Sequence, residues 1–71
     1  MRLFSLGKMV ERLQRPIGHL ETAIRQLGIQ PALSLNDLPY YDEAAETAID
    51  GELHRRDVER LEQEYRNTRK P

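Results

Sequence analysis

The sequence predicts a mainly α fold: a small winged helix-turn-helix with one short β-hairpin wing and a polar C-terminal helix. Three observations predict it. Two stretches of helix-period apolar residues are separated by little more than Pro16, and an Asn36-Asp37 pair interrupts two further short apolar runs. Past residue 49 the apolar side chains nearly stop: 23 of the 27 fall in 1–49, and only Leu53, Val58, Leu61 and Tyr65 follow. The first stretch can therefore build a small core, and the second cannot build one alone. With 71 residues, below the usual ~100–200 per domain, the chain makes one core at most. Residues 1–50 read as the winged domain and 51–71 as a polar helical tail for dimerisation or partner binding.

Ser5 is placed to cap the first helix, its hydroxyl accepting a backbone N–H of the following turn. Leu6, Met9, Val10 and Leu13 then fall at i, i+3, i+4 and i+7, one apolar face of a short helix. Pro16 ends it, because proline disfavours helical geometry at Arg15 and lacks an N–H. Proline is well tolerated near a helix start, so a second helix spans 17–27. Its apolar face is Ile17, Leu20, Ala23, Ile24 and Leu27, with Gly28 as the C-terminal stop. The opposite face presents His19, Thr22 and either Arg25 or Gln26.

Residues 32–35 and 38–41 flank Asn36-Asp37, whose side chains tolerate positive φ, and this spacing predicts a β-hairpin. Pro39 denies its strand a ladder donor, which predicts an edge strand. Of Tyr40 and Tyr41, alternation places one in the core and the other over the hairpin. Asp42 is placed to cap a third helix, with Glu43 suited to the positive end of the helix dipole. Asp50-Gly51 predicts a break. From Glu52 to Arg69 the chain is strongly helix-forming, with Arg55/Glu59 and Glu62/Arg66 as i, i+4 pairs and Arg66, Arg69 and Lys70 at the negative end. Val58, Leu61 and Tyr65 form a seam of little more than one heptad. Three placements stay open for it: docked on the domain, paired with a second copy as a homodimer, or on an isolated helix.

Catalysis is not expected. The chain has no Cys, and Ser5 and Ser34 are better explained as a cap and a strand polar residue. His19 and His54 lie 35 positions apart, so no pair at i+3 or i+4 holds a metal, and the four glycines are scattered singly. No cofactor, metal or small-molecule substrate is implied. No apolar run approaches the ~20 residues of a membrane span, and there is no signal-peptide pattern, so a cytoplasmic protein is expected.

Charge is segregated behind a net value of −1. Arg2, Lys8, Arg12, Arg15 and Arg25 against Glu11 and Glu21 give residues 1–26 a net +3. Residues 27–54 carry six acids (Asp37, Asp42, Glu43, Glu46, Asp50, Glu52) with no Lys or Arg, and 55–71 are net +2. An anionic partner should meet the N-terminal third or the tail.

Helix–turn–helix followed by a wing is an arrangement in which the second helix enters the DNA major groove. Phe4-Ser5-Leu6-Gly7-Lys8-Met9-Val10-Glu11-Arg12-Leu13 resembles the opening helix of MerR-type and excisionase-like winged helix-turn-helix domains. Tyr40-Tyr41-Asp42-Glu43-Ala44-Ala45 resembles the end of their wing and the start of the next helix. The likeness covers residues 3–49, and departs from the family in having Leu38-Pro39-Tyr40 where an Arg is common. The resemblance implies binding of double-stranded DNA by a small transcriptional regulator or excisionase-like accessory factor. Arg15, His19, Thr22 and Arg25 would face the groove, Lys8 and Arg12 the backbone, and Asn36 the wing tip. The alternative is a protein-interaction module on the same scaffold, using the acidic 37–52 surface or the C-terminal helix.

Overall fold

The computed structural model describes residues 2–68. The chain runs through strand β1 (Leu3–Ser5), helices α1 (Leu6–Leu13) and α2 (Ile17–Leu27), strands β2 (Leu33–Leu35) and β3 (Leu38–Asp42), and helix α3 (Glu43–Thr68). This is a mainly helical domain with a β-hairpin and a C-terminal helix, as the sequence predicts.

Local chemistry sets the ends of these elements. The Lys8 N–H donates to Ser5 Oγ at 3.2 Å, capping α1. Gln14 leaves α1 in the left-handed region (φ 54°), its N–H donating to the Val10 carbonyl at 2.8 Å. Gly28 closes α2 with φ 68°, while the Ile29 N–H reaches back to the Ile24 carbonyl at 3.0 Å. That double closure satisfies carbonyls at a helix end and suits glycine. Asn36 and Asp37 both have positive φ (51° and 65°), the geometry of a two-residue hairpin turn whose twist matches the strands. The Ala45 N–H donates to Asp42 Oδ1 at 2.8 Å, so Asp42 caps α3.

Three expectations need correction. The β-structure, expected as one hairpin, has a third strand, Leu3–Ser5, giving an antiparallel sheet of order β1-β3-β2. β3 is therefore central, and Pro39 does not sit in an edge strand. Its missing donor is still harmless. Leu35 and Leu38 flank the turn as the hydrogen-bonded pair, so Ser34 and Pro39 form a pair without ladder bonds. The Pro39 nitrogen points to the other side, where β1 has already ended with Ser5 opposite Tyr40.

The third correction concerns α3. No break occurs at Asp50-Gly51; the helix continues for 26 residues. Ile49 and Leu53 flank the glycine on one face and are buried at 0% and 3% exposure. Their burial, at about 1.5–3 kcal/mol each, outweighs the ~1 kcal/mol cost of a glycine in a helix. The expected Glu62/Arg66 pair is not formed, whereas Arg55 meets Glu59 at 2.5 Å. Arg69 and Lys70 lie outside the described residues.

The core consists of Phe4, Met9, Leu20, Ala23, Tyr41, Ile49 and Leu53, drawn from every element except β2. Tyr41 is the buried member of the tyrosine pair and Tyr40 is half-buried. Val58, Leu61 and Tyr65 are exposed at 40%, 57% and 60%, so the seam does not dock on the domain.

Candidate nucleic-acid interface

α2 is held to the rest of the molecule on two sides. Leu20 and Ala23 point into the core. Gln26 accepts from Arg56 of α3, which resolves the choice between Arg25 and Gln26: Gln26 turns toward α3 and Arg25 away from it. At 100° per residue the stripe opposite the core is Gly18, Thr22 and Arg25, with Glu21 beside Arg25. His19 is exposed on the flank it shares with Gln26.

The Thr22 hydroxyl donates to the Gly18 carbonyl at 2.9 Å, which engages its proton and leaves its oxygen lone pairs able to accept. Arg25 is exposed and makes no ion pair with a described residue, and the same holds for Glu21. Arg25 rises from an open groove of about 530 Å³ whose other walls include Leu6, Ile24, Gly28, Gln30 and Tyr41. Glu21 and Gly18 are parts of this face that the residue types alone did not single out. Their helical phase with Thr22 and Arg25 was the available signal.

Two of the expected DNA contacts, Arg12 and Arg15, form ion pairs within the fold. Arg12 makes a bidentate bond to Glu46, Nε to Oε2 at 2.7 Å and Nη2 to Oε1 at 3.1 Å, and its guanidinium stacks 4.3 Å from the Phe4 ring centroid. The hydrogen bond to Glu46 raises the Arg12 pKa, against the opposing effect of desolvation. Arg15 pairs with Asp57 of α3 at 2.6 Å. That hydrogen bond raises the Arg15 pKa and lowers that of Asp57. Both arginines thus tie α1 and the turn to α3.

Lys8 remains exposed, 3.7 Å from Glu11. Exposed pairs of this kind contribute little and are readily exchanged for another anion. Arg2 is similarly loose, 3.8 Å from Glu43. Asn36 sits exposed at the wing tip, with Asp37 next to it and no cation within β2, the turn or β3. Among the described residues no group of three or more His, Asp or Glu is arranged to hold a metal ion. The structure therefore places His19, Thr22 and Arg25 on one helix, Lys8 and Asn36 at separate exposed positions, and Arg12 and Arg15 in ion pairs with Glu46 and Asp57 of α3. Comparison with protein-family models, with curated proteins and with solved structures finds no match.

Proposed function

We propose that the chain binds double-stranded DNA, as a small transcriptional regulator or excisionase-like accessory factor, with α2 as the groove-reading helix. The observation that carries this reading is the outward stripe of α2. A helix packed across α1 and α3 leaves a side chain with bidentate donor geometry, Arg25, and a hydroxyl, Thr22, on its open face. Arginine pairs with guanine O6 and N7, and threonine contacts bases or a thymine methyl. Lys8 and Arg2 supply backbone contacts, His19 flanks the groove, and Asn36 reaches from the wing. Glu21 on the same face favours a cytosine amino group over an acceptor. A cytoplasmic setting fits this role, and no helix among the described residues is long and apolar enough to cross a membrane.

Fluorescence anisotropy on mixed-sequence duplex DNA across a salt series tests the reading. With Arg12 and Arg15 engaged internally, the remaining cations neutralise about two or three phosphates, for a log–log slope near −2 to −3. Absence of binding at low salt removes the proposal.

A second reading, a protein-interaction module, is favoured by the exposure of Val58 and Leu61 on α3. In that reading Val58, Leu61 and Tyr65 form a homodimer seam. Sedimentation of a Leu61→Lys variant tests it, since a dimer of that kind reverts to monomer.

A further inference from the structure

We propose that the open groove at the C-terminal end of α2 binds a free α-amino acid with an apolar side chain, held by Glu21, Arg25 and the Tyr41 hydroxyl. The inference does not rest on DNA binding, although a ligand carboxylate and a guanine would draw on the same Arg25 guanidinium.

Tyr41 distinguishes this groove from an ordinary surface depression. It belongs to the central strand, is only 5% exposed and forms part of the core cluster with Phe4 and Met9. Its hydroxyl nevertheless makes no hydrogen bond with a described residue. Among the described residues no fully enclosed side-chain nitrogen or oxygen lacks a partner, so this hydroxyl is not sealed in the core but opens into the groove that Tyr41 lines. A phenol both donates and accepts, and the fold uses neither capacity here. A wholly apolar occupant would cover the hydroxyl and leave it unpaired at a cost, so a ligand must bring a polar group of its own.

The rim specifies that group. Glu21 and Arg25 both line the groove, and neither has an ion-pair partner among the described residues. Residues four apart on a helix hold their Cβ atoms about 5–6 Å apart, so a carboxylate and a guanidinium flank a space the size of one small head group. An α-amino acid carries its ammonium and carboxylate on a single carbon and can meet both at once. In a peptide the two termini are separated by the chain. Glu21 repels a simple carboxylate or a phosphate, and Arg25 repels a simple amine. The direct attraction between two exposed side chains of opposite charge is weak, so a zwitterion displaces it readily.

The floor specifies the side chain. Leu6, Ile24 and Ile29 are partly buried hydrophobic residues packed against the core and lining the groove, where an aliphatic or aromatic side chain would cover them. The groove volume of about 530 Å³ lies within the ~300–1,000 Å³ of small-molecule sites. Because it is open along one side, the dissociation constant should be on the order of 1 mM.

Titration of the isotopically labelled 71-residue chain with L-leucine and with L-phenylalanine, followed by amide chemical shifts, tests the proposal. Saturable shifts centred on Glu21, Arg25, Ile29 and Tyr41 are expected. Isocaproate, which is leucine without its ammonium, and isoamylamine, which is leucine without its carboxylate, should each bind at least about tenfold more weakly. Arg25→Gln should bring leucine down to the affinity of isoamylamine, and Glu21→Gln should bring it down to that of isocaproate. Tyr41→Phe keeps the ring in the core and should weaken leucine by roughly three- to tenfold. The proposal is overturned by the absence of a saturable shift with both amino acids, by isocaproate or isoamylamine binding as tightly as leucine, or by an unchanged leucine affinity in Arg25→Gln or in Tyr41→Phe.

Discussion

The same residue type does opposite things in this chain, and its surroundings decide which. Arg12 lies over the Phe4 ring with both ends of its fork on Glu46, whose side chain is only 12% exposed. Removing that guanidinium leaves a nearly buried carboxylate without its partner, which destabilises a fold more than the pair itself stabilises it. Arg25 makes no such contact. Arg12→Ala should therefore lower the melting temperature clearly, while Arg25→Ala leaves it near that of the parent chain. In DNA binding the order reverses: Arg25→Ala is expected to cost about 1–3 kcal/mol of affinity for the best site, with Arg12→Ala affecting binding through stability alone. Thermal melts and anisotropy on the two variants separate the roles, and equal melting temperatures would refute this assignment. Glycines divide in the same way. Gly28 holds φ 68°, so a Cβ there is strained and Gly28→Ala should destabilise by about 1–2 kcal/mol. Gly51 lies mid-helix with open space around its Cα, so Gly51→Ala should stabilise by about 0.5–1 kcal/mol. Denaturant midpoints moving in the same direction would show that one of the two glycines has been misread.

At the scale of elements, legibility followed how local the determining physics was. α1, α2 and the hairpin were readable because a cap, a proline, a left-handed glycine and an Asn-Asp turn each act within four or five residues. β1 was not, since three residues of Leu-Phe-Ser carry no turn signal and become a strand only by pairing with residues 40–42, far along the chain. The central position of β3 was hidden for the same reason. Gly51 carried a correct local signal that lost to a tertiary one, the burial of Ile49 and Leu53 on either side. The candidate site divides similarly: the exposed phase of α2 was legible, whereas the capture of Arg12 by Glu46 and of Arg15 by Asp57 depends on contacts across 34 and 42 positions. These ion pairs also carry a pH signature. Hydrogen bonds from Arg15 and from Arg55 hold Asp57 and Glu52, respectively, below their ordinary pKa values. For a carboxyl depressed in the folded state, the stabilisation is complete above the unfolded pKa and lost as pH falls through the folded one. Stability should thus decline on acidification, and Asp57→Asn should start lower at neutral pH and lose less on the way down. A variant whose acid decline matched that of the parent would show that the Arg15–Asp57 contact does not link α3 to the turn.

For the molecule as a whole, the continuity of α3 decides where the folding unit ends. Composition put that end near residue 50, where the apolar side chains thin out. The contacts put it later. Leu53 completes the core, Arg56 reaches Gln26, and Asp57 holds Arg15, so the first 15 residues of α3 belong to the domain and the rest projects beyond it. The long dimension of 56 Å against widths of 21 and 20 Å reflects that projection. A chain ending at Glu59 keeps every one of these contacts and should melt cooperatively close to the 71-residue chain. A chain ending at Asp50 loses Leu53, whose truncation to Ala alone would cost about 2–5 kcal/mol, together with the Arg15 and Gln26 ties. Because a domain this small has only a modest stability margin, that shorter chain should be largely unfolded at ambient temperature. Circular dichroism melts of the two truncations check the point. Cooperative unfolding of the shorter chain would return the boundary to residue 50, and would mean that α3 beyond its second turn is an appendage from Gly51 onward.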